Sequence, residues 1–238
     1  MYVDLKGQLQ QAGIKRGRDA IFDFARSNDL LIKKTKLFHI TTDSKHQFYK
    51  SPNLIKRVLP SRSEQAFAAD ITYIRLDNDW AYLALVTDLY SKKIMGYKLA
   101  DNMKATMVQE ALKMASKNCI HKRKKIIHHS DRGIQYCCPQ YSEYAIKNNF
   151  RLSTTEQYDP YENAVAERIN GILKYEFGLV NKIPSFAIAK KMVDHAIDIY
   201  NNKRRHWSLG LETPHYAHLK QKHDYVSYKR GVDERKKC

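Results

Sequence analysis

Short apolar runs punctuated by turn residues dominate the first half of the chain. Residues 66–76 are apolar and β-branched and run into Asp77-Asn78-Asp79; 80–89 run into Tyr90-Ser91-Lys92; 93–100 follow. That pattern predicts three antiparallel strands in a meander. From about Thr106 the period changes, with Val108, Ala111, Leu112 and Ala115 at helical intervals and Thr106 and Gln109 as a capping box. A short strand, Ile126–His129, leads to Asp131; Pro139 opens a helix in its favoured first-turn position, and Phe150–Ser153 is a further strand. Val165, Ile169, Ile172 and Leu173 then fall at i, i+4, i+7 and i+8 of another helix. A last amphipathic helix spans Ser185 to about Asn201, with Ile188, Met192, Ala196 and Ile199 on its apolar side.

Before the meander, residues 2–12 read as a helix stopped by Gly13, and Arg18–Ser27 as a second. Two short helices with a Gly-containing turn and basic side chains fit a helix-turn-helix, and equally a plain helical hairpin. The expected division is a helix-turn-helix-like segment (1–39), a polar linker (40–62), a catalytic core (63–219) and a basic, weakly patterned tail (220–238).

Charge sharpens this picture. The 238 residues carry a formal +17, distributed unevenly. Residues 1–60 hold 12 basic and 5 acidic side chains, residues 61–202 hold 20 and 16, and residues 203–238 hold 10 and 4. Basic flanks around a near-neutral centre are the layout of arms that grip a polyanion. No apolar run is long enough to span a bilayer and no signal-peptide core opens the chain, so a cytoplasmic, nucleoid-associated protein with no membrane partner is expected. Cys119, Cys137, Cys138 and Cys238 contain no Cys-x-x-Cys pair, so free thiols are expected rather than disulfides or structural zinc.

The candidate chemistry rests on three carboxylates: Asp70, Asp131 and Glu167, with 35 residues strictly between the last two. Hard divalent cations take oxygen ligands, and a pair of them can clamp the attacking and leaving oxygens of an in-line displacement at phosphorus. Glu167 stands about 200° around its helix from Val165, away from the apolar stripe, and shares its side with Asn163, Asn170 and Lys174. Asp88 is a rival first acid, but it lies at a predicted hairpin where aspartate is a common turn residue. Magnesium sites rarely recruit imidazole, so His128 and His129 read as strand-end packing, with a hydrogen bond to Ser130 or Asp131 possible. Trp207 reads as a base-stacking or packing side chain.

The words around these acids are specific. Ala-Asp-Ile-Thr-Tyr-Ile (69–74), Val-Thr-Asp-Leu-Tyr-Ser (86–91), His-Ser-Asp-Arg-Gly-Ile-Gln-Tyr (129–136), Glu-Asn-Ala-Val-Ala-Glu-Arg (162–168) and Tyr-Asn-Asn-Lys-Arg-Arg-His-Trp (200–207) resemble the DDE transposases of bacterial insertion sequences. They look most like the OrfB product of the IS-three group, whose core is similar to retroviral integrase, and the resemblance runs roughly from residue 10 to 219. It implies an α/β, ribonuclease H-like mixed sheet (β-β-β-α-β-α-β-α) in which Asp70, Asp131 and Glu167 converge on two Mg²⁺ ions, with Mn²⁺ as a substitute. It further implies hydrolysis of a phosphodiester at the element's end, followed by attack of the resulting 3′ hydroxyl on another phosphodiester. Double-stranded DNA, both element ends and target, is the implied partner, held by a homodimer or higher oligomer and joined by an upstream OrfA product. Arg132, Asn163, Arg168, Asn170, Lys174, Lys203, Arg204, Arg205 and His206 are assigned to the DNA. The chain departs from the family at Phe67 for a common tryptophan, Ala69 for a threonine and Arg205 for a proline, and reads as starting inside the helix-turn-helix segment. A non-catalytic, DNA-binding remnant or regulator is the alternative.

Overall fold

The structure, a computed structural model, describes residues 2–31, 46–56, 60–121, 125–156 and 163–220. It falls into two compact units, Met1–His39 and Ile40–Cys238. The smaller unit holds α1 (Tyr2–Gln11) and α2 (Arg18–Ser27), the latter burying Ile21 and Ala25. Gly13 follows α1 with φ +73°, a left-handed conformation that costs glycine little, so the predicted stop lies where the helix ends.

The larger unit is built on one five-stranded sheet in the order β3-β2-β1-β4-β5. Strands β1 (Ala66–Arg75), β2 (Trp80–Asp88) and β3 (Ile94–Ala100) form the antiparallel meander, while β4 (Ile126–Ser130) and β5 (Phe150–Thr154) add in parallel on the other side of β1. Apolar residues on both faces explain why β2 reads as a continuous run rather than an alternation. Ala84 and Val86 face one cluster with Met107, Val108, Ala111 and Leu112 of α3 (Ala105–Lys117) and Tyr141 and Ala145 of α5 (Pro139–Lys147). Leu83 and Leu85 face the other, with Ile169, Ile172 and Leu173 of α6 (Ala164–Glu176) and Val193, Ala196 and Tyr200 of α7 (Phe186–Asn202). Helices α3 and α6 thus bury the stripes their sequence announces, Val165 only in part. Helix α7 is rotated from expectation: it buries Ala189, Val193, Ala196, Ile197 and Tyr200, while Ile188 is 43% exposed and Met192 and Ile199 are only partly buried.

Some local expectations differ. Thr106 and Gln109 make no capping box: Lys104 is the N-cap residue, no side chain caps the helix, and both residues lie inside α3. The four-residue α4 (Ile134–Cys137) and the seven-residue α8 (Pro214–Lys220) are too short to show a period in sequence. Ser185 does cap α7, its hydroxyl oxygen accepting from the Ile188 N–H at 3.3 Å. Residues 46–56, expected as linker, belong to the larger unit and run beside β5. Leu54 N–H donates to Ser153 Oγ (2.9 Å), and Thr154 Oγ1 donates to the Ser51 carbonyl (2.6 Å). The expected basic tail lies outside the described residues apart from Lys220. Among the described residues no helix is long and apolar enough to cross a membrane.

Candidate active site

Asp70 occupies the middle of β1, opposite Leu85 of β2. On its other side β1 pairs in parallel with β4, Ala68 opposite His129. Continued two residues past that last pair, the register sets Asp131 level with Asp70. Asp131 follows β4 directly and turns the chain into α4, its Oδ1 accepting from the Gly133 N–H at 3.0 Å. The third acid comes from α6, which reaches across β1 through two asparagines. Asn163 Nδ2 donates to the Ala69 carbonyl (3.2 Å) and Asn170 Nδ2 to Asp70 Oδ2 (2.7 Å). Glu167 lies between them, four residues after one and three before the other.

Asp70 interacts electrostatically with both of the other acids. Burial pushes the Asp70 carboxyl up to about 7; the charge of Asp131 adds to that, and the charge of Glu167 adds a smaller push. Donation from the Ile71 N–H and from Asn170 opposes the rise without cancelling it. Glu167 is also raised, by desolvation. Lys174, one turn beyond Asn170, feels the Asp70 charge while burial lowers its own pKa.

The other expected site residues divide into two sets. Asn163 and Asn170 are buried and aimed at β1, each with its Oδ1 unpartnered among the described residues. Arg132 turns its Nε and Nη2 onto the carbonyls of Thr155 and Glu156. Arg204 forms a bidentate pair with Glu176 at 2.6 and 2.7 Å. His206, expected on DNA, is instead buried edge-on to the Tyr200 ring (5.0 Å), and burial holds it neutral, with a pKa down to about 3. Arg168, Lys203 and Arg205 are exposed, as Glu167 is, and Lys174 is partly exposed.

His128 sits among Tyr136, Tyr141 and Phe150, bonded to the Tyr141 hydroxyl, and His129 Nδ1 lies 2.8 Å from Ser153 Oγ. Both are buried, with Tyr141 and Ser153 as hydrogen-bond partners. Asp88 is fully buried in a network that sequence did not reveal. It accepts from the Glu64 N–H (3.0 Å) and Ser91 Oγ (2.6 Å), while His218 of α8 lies between Asp88 (3.5 Å) and Glu64 (3.2 Å). Glu64 also accepts from the amides of Ile120 and His121. Burial alone would raise its carboxyl, yet the His218 hydrogen bond first and these two amides after it bring it down to about 2. The network ties α8 to the strand ends.

Among the described residues no three His, Cys, Asp or Glu side chains form a ready metal cage. The donor set nonetheless suits a hard cation: the carboxylates supply only oxygen, and the clustering that raises Asp70 is the repulsion a divalent ion would relieve.

A mixed five-stranded sheet carrying interacting acids on β1, after β4 and on α6 defines the integrase-core class of polynucleotidyl transferases. Two family models described as integrase core domain match residues 60–160 and 148–214, the first containing Asp70 and Asp131 and the second Glu167. The chain is 33% identical over 213 residues to transposase InsF of insertion sequence IS3A from Escherichia coli, covering 87% of this chain and 73% of that one. It is 30% identical to an uncharacterized 31 kDa protein of insertion element IS600 from Shigella sonnei, covering 88% of this chain and 78% of that one. Among solved structures, the simian T-cell lymphotropic virus intasome aligns with a TM-score of 0.58 at 18% identity over 74% of this chain and 60% of that one. The HTLV-2 integrase catalytic core domain, solved with magnesium, aligns with a TM-score of 0.53 at 16% identity over 66% of this chain and 97% of that one. The chain belongs to the IS3 group of DDE transposases.

Proposed function

We propose that Asp70, Asp131 and Glu167 are the catalytic acids of this transposase and that together they hold two divalent cations, Mg²⁺ or Mn²⁺. The observation that carries the assignment is the coupling at Asp70, which feels the charges of both other acids from two further elements. Cations bound there would supply Lewis-acid polarisation at phosphorus and a nucleophile at neutral pH. The chain's own groups do the positioning. Ile71 N–H and Asn170 hold the two oxygens of Asp70, and the Gly133 N–H holds Asp131. Lys174, which feels the Asp70 charge, is a flexible cation for a phosphate, and the exposed Arg168, Lys203 and Arg205 are assigned to the DNA backbone. Such a site cleaves a phosphodiester and joins the freed 3′ hydroxyl to another strand without a covalent protein intermediate. Joining two element ends calls for two or more copies of the chain, and an OrfA product is the expected further partner. Helices α1 and α2 are assigned to DNA recognition as a helix-turn-helix.

The test is strand transfer on labelled DNA copied from the ends that flank the gene, with Mg²⁺ or Mn²⁺ and Asp131→Asn as control. Metal-dependent joined product from the native chain alone supports the assignment. Product from both proteins would overturn it. DNA binding with no product from either would favour a non-catalytic binder.

A further inference from the structure

The residues before the sheet present a surface that the catalytic reading leaves unused. His46–Lys50 (His-Gln-Phe-Tyr-Lys) is anchored at its head, where His46 Nε2 lies 2.8 Å from the carbonyl of Arg132, the residue after Asp131. It is anchored again just after its end, by Thr154 Oγ1 on the Ser51 carbonyl and by Leu54 N–H on Ser153 Oγ. Between the anchors Phe48 leans on the His46 ring at 5.5 Å and remains 39% exposed, while Tyr49 is 80% exposed. Large aromatics held outward by a pinned backbone have given up burial, a cost that a partner on the outer side can offset. Lys50 follows at once, its Nζ donating to the His46 carbonyl. That bond keeps Lys50 beside His46, whose ring meets the Arg132 carbonyl next to Asp131.

Aromatic faces, an adjacent lysine and a position next to Asp131 match the chemistry of unpaired nucleic acid, whose bases stack on rings while its phosphates meet cations. We propose that Phe48, Tyr49 and Lys50 form a platform that stacks an unpaired base of the DNA strand entering the acid site. The occupant is a single-stranded or locally opened DNA segment: its charge complements Lys50, and the segment continues directly from the site where strands are cut and joined. The platform therefore rests on the DNA-joining reading, but binding alone tests it.

The experiment places 2-aminopurine at successive positions of a single-stranded oligonucleotide copied from the element end, and records its fluorescence with the full chain and with Tyr49→Ala, Tyr49→Phe and Lys50→Ala. The native chain quenches the probe at one or two positions. Tyr49→Ala relieves that quenching and weakens binding about tenfold, as the loss of one stacking partner does. Tyr49→Phe retains both, and Lys50→Ala lowers the slope of log affinity against log salt by about one while leaving the quenching in place. Phe48 and Tyr49 are exposed and Lys50 partly so, and matching thermal melts are expected to establish intact folding. Unchanged quenching and affinity in Tyr49→Ala overturn the platform, as does a loss of self-association with no change at the probe. Asp131→Asn, which should keep the quenching and lose joining, separates the two readings: joining that survives in it sinks the acid assignment and leaves the platform standing.

Discussion

Both carboxylate oxygens of Asp70 accept hydrogen bonds, from Ile71 N–H at 2.9 Å and from Asn170 at 2.7 Å, yet burial and the neighbouring acids still push the group up to about 7. The sign of the consequence is definite. A carboxyl raised from 3.8 in the unfolded chain to about 7 in the fold contributes stability that is complete below pH 3.8 and lost as pH rises through about 7. A divalent cation held at the proposed site would reverse that loss. Mn²⁺ should therefore raise the melting temperature more at pH 8 than at pH 5. Asp70→Asn should raise the metal-free melting temperature at pH 8 and abolish the difference, which differential scanning fluorimetry would read. Asn170 belongs to the same scale. Its amide donates to a charged acceptor, an interaction worth about 1.5–3 kcal/mol, so Asn170→Ala should slow joining roughly ten- to a hundredfold, chiefly in kcat. A matching fall in DNA affinity alone would instead make Asn170 a DNA contact.

At the scale of elements, the site depends on how closely helices approach the sheet. Helix α3 lies so near β3 that a Cβ on Gly96 would stand 2.1 Å from the Ala111 carbonyl oxygen and 2.5 Å from the Ala115 nitrogen. Both are backbone atoms, which cannot swing away as a side chain can. Gly96→Ala should therefore lie at the costly end of overpacking, about 3 kcal/mol, and lower the urea midpoint without touching any acid. On the opposite face, Asn163 and Asn170 tie α6 to consecutive residues of β1, which fixes where Glu167 meets Asp70. The stripe Val165, Ile169, Ile172 and Leu173 was legible because burial on a helix has a period, and it correctly turned Glu167 away from the core. The direction of the two asparagines was not legible. Position on a polar helix side does not say whether that side meets solvent or a strand.

At the scale of the whole molecule, a +17 chain that places most of its excess in the flanks should bind DNA with a strong salt dependence. If six to ten phosphates are neutralised, affinity should fall about 10³- to 10⁵-fold between 50 and 200 mM salt. Filter binding should show a shallower slope once residues 221–238, which carry six lysines and arginines, are removed. An unchanged slope would take the tail out of the interface. The buried Glu64–His218–Asp88 network belongs to this scale too, since it joins residues more than 150 positions apart in the chain.

Sequence by itself determined the strands and the longer helices, the basic flanks and the family, because these follow from periodicity, composition and contiguous words. It also nominated the three acids, through residue types that suit divalent cations and through words that resemble the family's. Only the tertiary structure decided which polar groups face one another. It set β4 beside β1 with Ala68 opposite His129, buried His206 against Tyr200, turned Arg132 onto two carbonyls and Arg204 onto Glu176, and laid residues 46–56 along β5. The physical reason is one of range. Burial patterns are written within a few turns of chain, whereas a hydrogen bond between distant polar groups leaves no local trace until packing brings them together.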